Sequence, residues 1–211
     1  LLLLAAAVVA PVALALPASS QTADGIVVIE VLSGRGDLVT GGDGFVAANL
    51  VTSLIRKGAV VTTTVRHSRP IPSAELLGHH ERPDIEVCEM EDFTQVQRVV
   101  NRHQIDTIFH LAASAIVSDA ANAPMSTLQN NINPTLNLLE AARINGISRV
   151  VIASTDKSYG DHADADDPEP LPYVEQHALR GLDVYSASKA CADLIGSGND
   201  LRRIPRPALG L

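Results

Sequence analysis

Tyr185 and Lys189 stand four residues apart in Tyr185-Ser186-Ala187-Ser188-Lys189, so a helix there puts both on one face. An ammonium close to a phenol lowers its pKa, and the resulting phenolate can take a proton from an alcohol near neutral pH. A second chemical group, Ser154-Thr155-Asp156-Lys157-Ser158-Tyr159-Gly160, lies one loop upstream. Thr155 could orient a substrate hydroxyl toward Tyr185. Asp156 and Lys157 could donate and accept protons while water is eliminated, given burial and neighbours that depress the lysine's pKa. Neither group is telling by itself. Tyr and Lys at this spacing occur by chance in many helices, and a polar turn capped by Thr and Asp would look the same.

The third group is Thr40-Gly41-Gly42-Asp43-Gly44-Phe45-Val46-Ala47. Gly41 permits a tight turn, Gly44 lets backbone approach a pyrophosphate, and the small Ala47 lets a helix pack on a strand. The N–H groups of the helix start at Phe45 and Val46 would then hold the phosphates of a dinucleotide. At the end of the next apolar run stand Arg66-His67-Ser68-Arg69, with no acid among them. A carboxylate there favours NAD and an arginine accommodates NADP. Arg66 therefore leans the reading toward NADP, with a solvated basic loop as the alternative and both cofactors open.

These groups need a frame that brings them together. Val46, Leu50, Leu54 and Ile55 recur at helical spacing over Phe45 to Lys57, with Gly58 as a stop signal. Ala59 to Val65, Asp84 to Cys88, Ile105 to Leu111 and Arg149 to Ala153 read as strands, and Asp37 to Thr40 as the end of one. A short helix is expected through Phe93 and Val100, a long one over Met125 to Asn145 with Pro134 inside it, and another over Asp183 to Ile195. Pro134 should kink its helix or strand a carbonyl. Strands alternating with helices imply an α/β fold, a doubly wound parallel-sheet Rossmann domain.

The chain has 211 residues, 46% hydrophobic and 19% charged, with a formal charge of -8. That suits one core-forming domain. The acidic balance argues against a nucleic-acid partner, whose binding surfaces are basic, yet leaves room for a nucleotide. Cys88 and Cys191 give neither a disulfide framework nor metal-ligand spacing, which fits buried thiols in a reducing compartment. His79-His80 lack a second ligand cluster, so no metal is expected. Asp164, Asp166 and Asp167 read as a solvated acidic loop.

Taken in order, Thr40 to Val46, His110-Leu111-Ala112-Ala113, the Ser154 to Gly160 group and Tyr-x-x-x-Lys resemble the extended short-chain dehydrogenases/reductases. The NAD-dependent epimerase/dehydratase branch is meant, over roughly residues 37 to 195. Asn131-Ile132 with Asn137-Leu138-Leu139-Glu140-Ala141 is similar to that family's central helix, and Pro172-Tyr173-Val174-Glu175 to the loop before its tyrosine. The resemblance implies NAD or NADP as cofactor, bound by Gly41, Gly44, Phe45, Val46, Arg66, Leu111, Ala112, Ala113, Tyr185 and Lys189. It implies Thr155, Asp156, Lys157, Tyr185 and Lys189 as catalytic residues, with His110 packed near the cofactor and not a base. A hydroxyl followed by Asp and Lys resembles the nucleotide-sugar 4,6-dehydratases, where simple 4-epimerases carry small residues. The implied route oxidises carbon 4, eliminates water and returns the hydride to carbon 6. A 4-epimerase or reductase is the alternative, as is an inactive dinucleotide-binding fragment. The implied partners are a nucleotide-diphosphate sugar and a second copy of the chain, with no nucleic acid and no membrane.

Three departures from that family shape the expected organisation. Gly34-Arg35-Gly36-Asp37 interrupts the first strand, and the strand-like Gly25 to Leu32 sits too far upstream to feed the turn. Pro134 stands where a small residue is usual. The resemblance also ends near Ile195. We therefore expect an atypical apolar extension over 1–33, an NAD(P)-binding domain over 34–196, incomplete at its C-terminal end, and a divergent tail over 197–211. On this expectation the substrate domain is missing, as in a truncated product. The apolar start resembles a secretory signal without its Met or basic residues. A cytoplasmic enzyme with a non-native extension is the reading preferred over an exported or membrane-associated one.

Overall fold

The computed structural model describes residues 7–8, 36–68, 82–147, 149–161, 171–174 and 176–198. The readings made for Gly25 to Leu32, Gly34-Arg35, His79-His80, Asp164, Asp166, Asp167, Glu175 and the 199–211 tail lie outside the described residues.

The strands are β1 (Ala7–Val8), β2 (Gly36–Thr40), β3 (Val60–Val65), β4 (Asp84–Val87), β5 (Ile105–His110) and β6 (Arg149–Ala153). The helices are α1 (Phe45–Arg56), α2 (Phe93–Arg102), α3 (Val117–Asn122), α4 (Pro124–Asn145) and α5 (Val184–Gly198), with a 3-10 turn over Asp156–Tyr159. The sheet order is β1-β6-β5-β2-β3-β4, in which β6 to β4 are parallel and β1 pairs antiparallel with β6. Chain order reverses between β2 and β5. A doubly wound sheet opens its ligand crevice at the carboxyl ends of the two strands flanking such a reversal.

Local chemistry explains the elements. β3 is Val-Val-Thr-Thr-Thr-Val, a β-branched run buried over five of its six residues. Asp92 starts α2 by accepting the N–H groups of Thr94 and Gln95 at 2.8 and 3.4 Å. α4 opens on Pro124 and runs unbroken through the buried Pro134. α3 has no counterpart in the sequence reading, because of its six residues only Ala120 is buried and no apolar period marks it.

Two apolar layers hold the sheet. On one face Val39, Val61 and Phe109 meet Ala47, Val51 and Leu54 of α1. On the other, Leu38, Ile108, Val150 and Ile152 meet Val96, Val99 and Val100 of α2 and Leu138, Leu139 and Ala142 of α4. Leu38, Ile108 and Leu138 are each at most 1% exposed, worth about 1.5–3 kcal/mol apiece in removed apolar surface.

The irregular start of the first strand has a structural answer. Against β5 the register shifts between Gly36 and Asp37, and a Cβ on Gly36 would come within 2.7 Å of the His103 carbonyl oxygen. Asp37 is buried inside the sheet. Burial, then the nearby Asp106, raise its pKa, while a Thr107 hydrogen bond and Arg149 work against that rise. A charge buried there is costly, and it is only partly compensated.

Candidate functional site

The glycine turn leaves β2 at the chain reversal. Gly41 adopts φ +75°, and a Cβ on it would sit 3.0 Å from the Ala112 Cα. Gly42 is required by packing: a Cβ there would fall 2.1 Å from Thr63 Oγ1 and 2.8 Å from Thr63 Cγ2. Gly44 caps α1 with no side-chain hydrogen bond and no acid in the first turn. Phe45 and Val46 follow, 71% and 45% exposed. The result is a bare backbone cradle with open helix N–H groups, which fits a pyrophosphate. Ala47 is buried, as its small size in the motif required.

Thr40 ties this turn to the loop after β5. Its Oγ1 lies 2.8 Å from His110 Nδ1 and accepts the N–H groups of Leu111 and Ala112 at 3.1 and 3.0 Å. With both lone pairs taken, the hydroxyl proton goes to Nδ1, so His110 is the Nε2–H tautomer. Burial, reinforced by Lys189, pushes its pKa down to about 3. His110 is a neutral packed residue, as expected. This holds Ala112 against Gly41 across the mouth of the turn, with Leu111 packed against the core layer below.

At the end of β3, Arg66 is held by Glu91 at 3.0 Å, Glu89 at 3.6 Å and Asn130 Oδ1 at 3.3 Å. The basic strand end that leaned toward NADP is therefore matched by two carboxylates. Asn130 Nδ2 donates to Ser114 Oγ at 3.2 Å, and its neighbour Asn131 binds both backbone groups of Ser114, the N–H at 2.7 Å and the C=O at 3.2 Å. Asn131 Nδ2 also donates to Ser188 Oγ at 2.8 Å, and Ser188 donates to the Tyr185 carbonyl at 2.6 Å. A buried asparagine thus straps the helix of Tyr185 to the crevice loop.

The Ser154 to Gly160 group leaves the carboxyl end of β6, as expected. Thr155 caps the 3-10 turn, accepting the Lys157 N–H at 3.4 Å and donating to Asp156 Oδ1 at 3.1 Å. Asp156 and Lys157 are exposed, so the burial invoked to tune Lys157 is not present. Asp183 starts α5, accepting the Ser186 N–H at 3.0 Å and the Ser186 hydroxyl at 2.6 Å. That cap places Tyr185 beside Thr155. The Tyr185 pKa is raised, chiefly by burial; a hydrogen bond with Thr155 opposes this, and Asp156 and Asp183 add to it. Lys189 is buried and donates to the Ala153 carbonyl oxygen, and that burial lowers its pKa. Its ammonium is committed to the strand end, so the expected lowering of the Tyr185 pKa by Lys189 is not seen in this arrangement.

The fold therefore gathers the candidate residues along the carboxyl edge of the sheet, Arg66 at one end and Tyr185 at the other. Sequence reasoning missed the roles of Gly42, Asn131 and the buried Asp193, whose partners lie 17 to 57 residues away. Among the described residues no cluster of three or more His, Cys, Asp or Glu is placed to hold a metal, and no helix is long and apolar enough to cross a membrane.

Known proteins share this layout. The family described as GDP-mannose 4,6 dehydratase matches residues 38–198. The CDP-glucose 4,6-dehydratase of Salmonella typhimurium is 29% identical over 167 residues, covering 78% of this chain and 45% of that protein. The dTDP-glucose 4,6-dehydratase of Shigella flexneri is 33% identical over 172 residues, covering 74% and 48%. Among solved structures, the Thermus thermophilus UDP-glucose 4-epimerase complex with NAD aligns with a TM-score of 0.66 at 28% identity. That alignment covers 78% of this chain and 50% of the other. The chain spans about half the length of these relatives.

Proposed function

The chain belongs to the GDP-mannose 4,6 dehydratase family, and from that premise we propose that it acts as a 4,6-dehydratase on a nucleotide-diphosphate hexose. The observation that carries this reading is Thr155-Asp156-Lys157 on the turn leaving β6, with Thr155 near enough to Tyr185 to oppose the rise of its pKa. Inverting carbon 4 needs only the tyrosine. Expelling the 6-hydroxyl needs a further acid and base, which Asp156 and Lys157 supply.

NAD or NADP fits the bare cradle between Gly41, Gly44, Phe45, Val46 and Ala112. Held there, it would supply the hydride acceptor for oxidation at carbon 4 and the donor for reduction at carbon 6. Tyr185 accepts the 4-hydroxyl proton, with Thr155 orienting that hydroxyl. Lys189, one turn along α5, is held on the Ala153 carbonyl, so it would have to turn from the strand end toward the phenol before it could offset that burial. A bound sugar nucleotide would supply the cover that the exposed Lys157 lacks, letting it remove the carbon-5 proton while Asp156 protonates the departing 6-hydroxyl, so water leaves. The Lys157 proton then returns to carbon 5 and the proton taken up by Tyr185 passes through solvent to Asp156, giving a 4-keto-6-deoxy sugar and the starting protonation states.

The likeness to the Thermus epimerase supports a second reading, inversion at carbon 4 alone. A third is dinucleotide binding without turnover. Incubation with NAD or NADP and a panel of nucleotide-diphosphate hexoses separates them. A 4-keto-6-deoxy product, lost by at least about 100-fold in Tyr185→Phe, supports the dehydratase. Inversion without loss of water rejects it, and bound cofactor with no product on any hexose leaves only the third reading. We further propose a homodimer packed through α4 and α5, where Leu136 and Leu194 are exposed, and a cytoplasmic setting suited to the unpaired Cys88 and Cys191.

A further inference from the structure

Asp193 takes no part in the chemistry above, yet it is a carboxylate only 6% exposed. It lies one turn beyond Lys189, so that Tyr185, Lys189 and Asp193 form one stripe along α5. Its Oδ2 accepts the Ser154 hydroxyl, and the Ser158 hydroxyl next to Ser154 adds to the lowering of its pKa. Ser154 and Ser158 are the residues on either side of Thr155-Asp156-Lys157, and their own hydroxyl oxygens stand 3.5 Å apart. Lys189 meanwhile donates to Ala153, the residue just before Ser154. The two charged residues of α5 thus grip consecutive residues where β6 ends.

We propose that Asp193 is a positioning residue: it clamps the Ser154–Ser158 turn to α5, setting Thr155, Asp156 and Lys157 in register with Tyr185, and it is the counter-charge that holds the Lys189 ammonium in place. An uncompensated buried ion is expensive, and a buried acid stays only where partners repay its desolvation. Here the repayment is two serine hydroxyls and one ammonium. Burial raises the Asp193 pKa, and Ser154, Lys189 and Ser158 oppose the rise. The clamp has a geometric purpose, because misplacing a catalytic group by about 1 Å costs rate on the order of 100-fold.

Asp193→Asn keeps the shape and removes the charge, and two readouts test it. The first needs no turnover: the Lys189 side-chain amine is titrated by nitrogen-detected NMR in the full chain. The other titratable group facing that amine is His110 of β5, which stays neutral across the range and leaves Asp193 as the ionised neighbour. The expected result is a Lys189 midpoint moved to lower pH; an unmoved midpoint overturns the proposal. The second readout rests on the dehydratase reading: kcat falls about 10- to 100-fold while KM for the sugar nucleotide holds within about 2-fold. An unchanged kcat in an active enzyme also overturns the proposal. Absence of turnover in the unmutated chain would sink the dehydratase reading and leave the Lys189 result standing. If Asp193→Asn does not fold, Ser154→Ala cuts the clamp from the other side. Displaced amide resonances at Thr155 to Lys157 then support the clamp, and unmoved ones refute it.

Discussion

Thr40 Oγ1 and His110 Nδ1 meet at 2.8 Å across the point where the chain order of the sheet reverses. One hydroxyl there serves three groups, the imidazole and the two amides that open the crevice loop. Thr40→Val keeps the shape and deletes all three bonds. It should cost about 1–3 kcal/mol of stability and weaken dinucleotide binding, measured by denaturant unfolding and calorimetric titration.

The same contact sets a pH dependence. His110 has its folded pKa pushed down to about 3 by burial, against about 6.5 in an unfolded chain. The unfolded chain alone gains the proton between those values. The stability due to neutral His110 is therefore complete above about pH 6.5 and is lost as pH falls toward about 3. The His110 ring should show no NMR titration between about pH 5 and 8, and a midpoint inside that range would refute the assignment.

The two middle glycines of the turn should fail differently. Gly42→Ala drives a methyl into Thr63 and should cost about 1–3 kcal/mol by overpacking, partly recovered when Thr63→Ala is added. Gly44→Ala meets only the Gly41 carbonyl oxygen at 3.2 Å, so it should fold nearly normally and bind cofactor poorly. Thermal melts with and without NAD distinguish the two.

Asp37 gives a pH effect of opposite sense. Its folded pKa is raised, mainly by burial, so ionisation penalises the folded state once pH climbs through that value. Asp37→Asn should therefore melt higher than the parent at neutral pH. The gain should shrink toward about pH 4, where the unfolded carboxyl also takes up its proton. A variant less stable than the parent at pH 7 would contradict this account.

Arg66 bears on the choice of cofactor. With Glu91 and Glu89 at its guanidinium, a 2′-phosphate would have to displace carboxylates, so NAD should bind more tightly than NADP. Removing both acids, Glu89→Gln with Glu91→Gln, should swing the ratio of dissociation constants toward NADP by about 10-fold or more, given charge-assisted bonds worth about 1.5–3 kcal/mol. Paired titrations with the two cofactors read this directly.

Much of this layout is legible in short stretches of sequence. The β-branched run of β3, the glycine spacing at Gly41 and Gly44, and the amphipathic period of α1 are local signals, and each lies where its pattern put it. What stayed hidden was long-range. Gly42 is explained only by Thr63, and Asp193 only by Ser154 and Ser158. The direction of Lys189 was misjudged for the same reason. Spacing puts it one turn from Tyr185, while its bond is to Ala153, a strand end that no helical wheel includes. Lys157 fits its place in the motif, and its exposure depends on how the turn projects from β6.

Asn131 uses every hydrogen-bonding atom of its side chain to connect three segments, with Ser114 on one side and Ser188 on the other. Aspartate could not donate, leucine could do neither, and glutamine would overreach by a methylene. No other side chain offers a donor and an acceptor at this reach, so any substitution at 131 leaves at least one buried partner unpaired. Exposed positions of α4 such as Leu136 carry no such constraint, so substitutions on this helix should be tolerated around 131 and not at it.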